Sequence, residues 1–223
     1  MHPDVNRFVS EAMYEGRLQS VEGLERQAIA SPGLSGAGVR MLSVEHVDNR
    51  QQAPEEGERI AAEVARLLHG GRFTDAAGES RDLAVDDILV VAPYNAQVRC
   101  LRQRLPEGAR IGTVDKFQGQ QAPVVVFSMT SSSGEDVPRG MDFLFSRNRL
   151  NVAVSRAQCL SVVVCSPSLL SARCNTVEQM RLVNSLCRFA DEAERQGRAP
   201  GLTASPGAPW LHSASAARSQ LGR

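Results

Sequence analysis

Apolar residues fall along the chain in two rhythms. Residues 39–44, 88–92, 124–127 and 160–165 are short, mostly apolar runs, broken only by Arg40, Ser43 and Ser161, with β-branched types prominent, the pattern of strands covered on both faces. Between these runs the period becomes helical. Pro54, Glu55 and Glu56 open a segment whose stripe is Ile60, Val64, Leu67 and Leu68 and which stops at Gly70-Gly71. A second stripe, Tyr94, Val98, Leu101 and Leu105, runs at i, i+4, i+7 and i+11 up to Pro106. Strands alternating with helices of this length predict βαβ units, hence an α/β domain built on a mostly parallel sheet with helices on both faces.

The two ends read differently. A proline-opened helix is expected from Pro3 to Glu15, while residues 16–38 are glycine-rich and weakly patterned, so 1–38 reads as a linker with a helical piece and 39–190 as the domain body. Beyond Glu194 no acidic residue occurs, and 197–223 mixes Gly, Pro, Ala and Ser with a few arginines. A disordered tail is expected over 191–223. With 42% hydrophobic residues in 223, one domain with a proper core is within reach. No apolar stretch of membrane length and no basic-then-apolar leader is present, so the expectation is a soluble, cytoplasmic protein.

Composition narrows the chemistry. The chain has 25 basic and 25 acidic residues, so binding to nucleic acid requires a local groove and not a globally basic surface. Lys116 is the only lysine and lies outside any G-x-x-x-x-G-K-[ST] pattern, which removes a phosphate loop; Gly36-Ala37-Gly38 lacks a third glycine at Met41, which removes the dinucleotide fingerprint. Cys100, Cys159, Cys165, Cys174 and Cys187 contain no C-x-x-C pair and read as reduced, packed thiols. His2, His46, His69 and His212 are scattered without ligand spacing, and no metal site is expected. Ser155 lacks the glycines of a nucleophile elbow.

Three segments carry the candidate chemistry: residues 91–97 with Tyr94 and Asn95, residues 112–121 with Thr113, Gln118, Gly119 and Gln121, and residues 149–157 with Arg149 and Arg156. Each is expected at the carboxyl end of a strand or the start of the next helix, where open α/β sheets hold ligands. Arg149 and Arg156 are seven apart, so on one helix they lie within about 20° of each other, beside a stripe of Leu150, Ala153, Val154 and Ala157. Tyr94 suits either its helix's apolar stripe or a ligand edge, and Phe117 reads as core.

Taken in order, these segments resemble motifs IV, V and VI of superfamily 1 helicases, in the branch with the nonsense-mediated-decay helicase and the replication helicase-nucleases. Met1-His2-Pro3 followed by Tyr14-Glu15-Gly16-Arg17-Leu18 is similar to the segment that leads into that family's second motor domain, and the resemblance covers roughly Met1 to Ala190. It implies a second RecA-like domain of the P-loop NTPase superfamily, part of an ATP hydrolase and helicase of 5′ to 3′ polarity, without the first domain that carries the phosphate loop, the magnesium-binding acids and the motif III glutamine. It further implies that Arg156 is an arginine finger, that Gln118, Gly119, Gln121 and Arg149 meet the nucleotide, and that Asn95 and Thr113 touch strand phosphates. ATP and Mg²⁺ are then bound only together with a first RecA-like domain, and the partner is single-stranded nucleic acid, DNA before RNA. Family members commonly carry glutamate where this chain has Gln121, whose amide oxygen still accepts a hydrogen bond. The competing expectation is a truncated or split-gene module that binds nucleic acid or a partner without ATPase activity.

Overall fold

A computed structural model describes residues 1–117, 119–134, 137 and 139–197. In chain order the elements are α1 (Pro3–Met13), β1 (Ala28–Ala30), β2 (Gly38–Ser43), α2 (Pro54–Leu68), β3 (Arg72–Thr74), β4 (Ser80–Asp82), β5 (Ile88–Val91), α3 (Asn95–Arg102), β6 (Arg110–Gly112), β7 (Ala122–Ser128), α4 (Met141–Leu144), α5 (Arg147–Ser155), β8 (Ala157–Cys165) and α6 (Val177–Gly197). The four apolar runs are β2, β5, β7 and β8, and the two helical stripes are α2 and α3.

Five strands form one sheet in the order β2-β8-β7-β5-β6, every neighbouring pair parallel. Val91 of β5 lies between Gly112 of β6 and Phe127 of β7. From β5 the chain passes through α3 to β6 at the sheet's edge, whereas β7 lies on the other side of β5. The carboxyl ends of β5 and β7 therefore flank the point where strand order reverses, the crevice in which such sheets place ligands.

Alternation on the central strands explains why runs such as 88–91 and 124–127 are apolar on consecutive positions. Leu89, Val91, Val125, Phe127 and Val163 pack with α1, α5 and α6 through Val5, Phe8, Leu150, Leu186 and Phe189. Ile88, Val90, Val124, Val126 and Val162 pack with α2 and α3 through Ile60, Val64, Leu67, Val98 and Leu101. Each large side chain buried this fully stabilises the fold by about 1.5–3 kcal/mol.

The structure moves two expected boundaries. Within the 1–38 segment, α1 belongs to the domain body because Val5, Phe8, Val9 and Ala12 face the core, Phe8 meets Phe189 edge-on at 5.1 Å, and His2 N–H donates to the Gln158 carbonyl at 2.6 Å. The tail does not start at 191, since α6 continues to Gly197 with Glu192, Ala193 and Gln196 buried. Gln196 Oε1 accepts from Val39 N–H at 2.7 Å, capping a donor on edge strand β2, and Glu192 accepts from Arg7 at 2.9 Å. The remainder of the expected tail, 198–223, lies outside the described residues. A small antiparallel sheet, β1-β3-β4, was not expected; its strands have three residues each, too few to set a period. All five cysteines are free, and Cys100, Cys159 and Cys165 are buried. No helix among the described residues is long and apolar enough to cross a membrane.

Candidate functional site

At the carboxyl end of β5 the chain turns through Pro93 to Tyr94, whose extended backbone caps α3 and leaves that helix's first N–H groups facing the crevice. Asn95 and Thr113 stand on its walls, so the structure brings together the two residues expected to meet strand phosphates. The cavity measures about 320 Å³ and is completed by Arg99, Asp115, Arg139, Phe143 and Arg149. A second hollow of about 310 Å³ shares Asn95, Arg99 and Thr113 and extends past Arg102 and Lys116. The turn carrying Phe117 packs closely on β6 at Gly112, where a Cβ would lie 2.9 Å from Cε2 of the buried Phe117 ring. Phe117 is core, as expected.

Positive charge predominates in this groove. Arg99, Arg102, Lys116 and Arg139 have no carboxylate partner within ion-pair distance among the described residues, and the carboxylate near Arg149 is Asp115, at 3.8 Å and 80% exposed. A chain of zero net charge thus holds a local positive strip. Tyr94 packs as its apolar stripe led one to expect: it is buried, its ring lies 5.4 Å from that of Phe143, and it also lines the cavity. Burial pushes its phenol above the usual value, while the nearby Ser131 hydroxyl and the charges of Arg139 and Arg149 act the other way.

The other expected site residues lie at the opposite end of the strands, which departs from the expectation that each segment sits at a strand's carboxyl end or a helix start. Helix α5 begins at Ser146, which caps Arg149 N–H, and runs back along the sheet to Arg156 as its C-cap. The Arg156 carbonyl accepts from Ala122 N–H at 3.1 Å, which fixes Arg156 beside the starts of β7 and β8. Gln121 immediately precedes β7 and is exposed, with its carbonyl accepting from Arg110 at 3.4 Å. Gly119 has φ of +81° and nothing within 4 Å of where a Cβ would stand, so backbone conformation and not crowding calls for glycine there. Gln118 lies outside the described residues. Arg149 is grouped with Asn95 and Thr113, not with Arg156; at 1.5 Å rise per residue the two arginines are separated by about 10 Å along the helix.

Arg156 also supplies a test of fit for a bound anion. Its Nε is buried without a hydrogen-bond partner, and a buried donor left unmatched costs about 1–3 kcal/mol, more when charged. Beside the open loop at Gly119 and the exposed Gln121, this end of the sheet leaves a guanidinium donor free for an anion from outside the domain.

Sequence reasoning missed Arg99, Asp115, Arg139 and Phe143. Arg99 was findable, because it lies one helical turn beyond Asn95, and Arg102 continues the same face. It also missed a buried polar cluster behind the groove. Glu56 accepts from Ser128 Oγ at 2.5 Å and from Thr130 N–H at 3.0 Å and lies 3.0 Å from His46 Nε2, while His46 Nδ1 is 2.7 Å from Ser132 Oγ. Gln97, three residues after Tyr94, joins Ser128 to Ala53. The cluster ties the loop after β7, including Thr130 at φ of +73°, to the starts of α2 and α3.

Comparison with known proteins identifies the family of the chain. Residues 1–168 match the model of a family described as an AAA domain. The chain is 30% identical to the rat (Rattus norvegicus) DNA-binding protein SMUBP-2 over 184 residues, 74% of this chain and 17% of that protein. It is 28% identical to the DNA polymerase alpha-associated DNA helicase A of Schizosaccharomyces pombe (70% and 25% covered) and 29% identical to helicase sen1 of the same yeast (74% and 10% covered). The chain thus spans a quarter or less of the length of these relatives. On the matched family, the parallel sheet and the helicase relatives, the chain belongs to this AAA domain family and is a helicase-type domain of superfamily 1.

Proposed function

We propose that this domain is the second, C-terminal RecA-like half of an ATP-dependent helicase motor, working against a first RecA-like domain that supplies the phosphate loop and the magnesium ligands. ATP with Mg²⁺ supplies the phosphoryl group whose transfer drives such a motor. Arg156 presents its guanidinium to the charge that develops on the transferring group, a role worth roughly 10³–10⁵ in rate in other nucleotidases. Gln121 accepts from the ribose through its amide oxygen, and the open loop at Gly119 lets the nucleotide approach the backbone. Asn95, Thr113 and the groove arginines take the phosphates of a single strand at the other end of the sheet. DNA is the favoured strand, in keeping with the names of two of the relatives.

The observation that carries this reading is the division of labour along α5: Arg149 in a basic groove at one end, Arg156 with its unmatched Nε at the other. The test is fluorescence anisotropy of a labelled oligothymidylate with the full chain. Binding is expected in the non-specific range of about 10⁻⁴–10⁻⁶ M and to weaken as salt rises. Asn95→Ala with Thr113→Ala should weaken it further; an unchanged affinity in that double variant overturns the assignment of the strand path.

A further inference from the structure

Phe143 is the one aromatic ring in the groove that two guanidinium groups share. Arg139 lies over it at 4.8 Å and Arg149 at 4.2 Å from the ring centroid, and Tyr94 packs against it at 5.4 Å. The ring is itself held from behind, because its neighbours Leu144 and Phe145 are buried in the core and Ser146 caps α5. A ring fixed in this way offers its negative face to cations.

Among the described residues, little offsets the charges on that ring. Arg139 is exposed and has no ion-pair partner among the described residues; Arg149 has only the exposed Asp115, at 3.8 Å. Two like charges brought to one ring repel each other, and free arginine side chains would separate into solvent. Holding both at the mouth of a cavity that opens onto Asn95 and Thr113 makes chemical sense when an anion arrives between them.

We propose that Phe143 is a positioning residue that holds Arg139 and Arg149 as a two-guanidinium clamp for the phosphate backbone of a bound single strand. The proposal rests on the strand path described above and assigns three residues to it, Arg149 among them in place of a nucleotide contact. Ordering the two arginines before binding removes part of the entropy that a strand would otherwise have to overcome. Phosphate is the shared chemistry of a strand and of a free nucleotide, and the geometry favours the strand because Arg156 and Gly119 lie at the far end of α5.

The test uses the full chain and labelled oligothymidylate over a range of salt. Phe143→Leu keeps an apolar side chain but removes the ring; it should weaken binding roughly tenfold at low salt, from two lost cation–π contacts, and reduce the salt slope by about one to two. Phe143→Trp should restore both, which a loss of mere packing would not do. Chemical modification of arginine with phenylglyoxal, read by mass spectrometry on the unsubstituted chain, gives a second measurement that no folding defect can disturb. Oligothymidylate should protect Arg139 and Arg149, and Mg-ATP alone should not. If the chain binds the strand and Asn95→Ala/Thr113→Ala weakens it, but Phe143→Leu leaves affinity and slope unchanged, the clamp is wrong and the strand path stands. Protection by Mg-ATP and not by the strand overturns the clamp in favour of a nucleotide site. Absence of any strand binding overturns the strand path and the clamp together.

Discussion

Arg149 and Arg156 sit on the same helix and serve opposite ends of the sheet. Arg149 opens α5 beside the cavity of Tyr94, Asn95 and Thr113, and Arg156 closes it beside the first residues of β7 and β8. Their seven-residue spacing aligns them in rotation, which is why they look like one site in sequence, while the rise along the axis separates them by about 10 Å.

That relationship makes the two arginines separable by experiment. In a protein joining this chain to a first RecA-like domain, Arg156→Ala should lower kcat for ATP hydrolysis by roughly 10³-fold or more and leave strand affinity unchanged. Arg149→Ala should weaken strand binding and reduce its salt slope by about one, with kcat at saturating strand little altered. Steady-state hydrolysis and anisotropy on the same preparations check this, and a kcat loss equal in the two variants would sink the assignment of roles. The chain by itself should hydrolyse no ATP above background, since it contains no phosphate-loop sequence.

The central sheet was legible because strands covered on both faces leave runs such as 124–127 that no exposed element would carry. Asn95 and Thr113 were legible from their motifs. Arg139 and Phe143 were not, because their place in the groove depends on how residues 139–149 fold over the end of β7, and no local period encodes that. Helix α6 carries its own signal in Val183, Leu186, Ala190 and Ala193, spaced three and four apart, but the polar composition that follows obscured it. The Glu56 cluster was invisible for a different reason: its members come from residues 46, 56, 97, 128, 130 and 132, and only the fold unites them.

Asp115 is the one carboxylate lining the cavity among the described residues, and it stands where a strand phosphate would pass. An exposed pair at 3.8 Å contributes at most about 1 kcal/mol to stability, so Asp115→Asn should leave the thermal midpoint nearly unchanged. Removing the negative charge should tighten oligonucleotide binding a few-fold and steepen its salt dependence. Weaker binding in this variant would mean that Asp115 orders Arg149 more than it repels phosphate.

Glu56 has no measurable exposure and is the acceptor on which the Ser128 hydroxyl and the Thr130 amide both depend. Glu56→Ala leaves those donors and His46 without their partner inside the protein, at a cost of about 3–5 kcal/mol. Against a typical total of about 5–15 kcal/mol, this variant should be close to unfolding at physiological temperature. Urea denaturation checks the prediction, and a loss below about 1 kcal/mol would mean that water reaches the cluster and replaces the carboxylate.

Asp87 gives the fold a dependence on acid. Burial by itself pushes its carboxyl up, but the paired hydrogen bonds from Arg81 at 2.5 and 2.7 Å, the Ala84 N–H at 2.8 Å and the nearby charges of Arg81 and Arg110 outweigh burial and hold it below the ordinary carboxylate range. A carboxyl whose folded value lies below its unfolded one stabilises the folded state above the unfolded value, and that contribution disappears as pH falls through the folded value. Parent and Asp87→Asn should therefore differ most in thermal midpoint near neutral pH and converge in acid. The amide cannot accept the arginine fork on both atoms, so the variant loses the pair at every pH. Melting curves for the two proteins from neutrality down into the acid range decide the matter: a gap that stays constant throughout would show that Asp87 acts through packing and not through its charge.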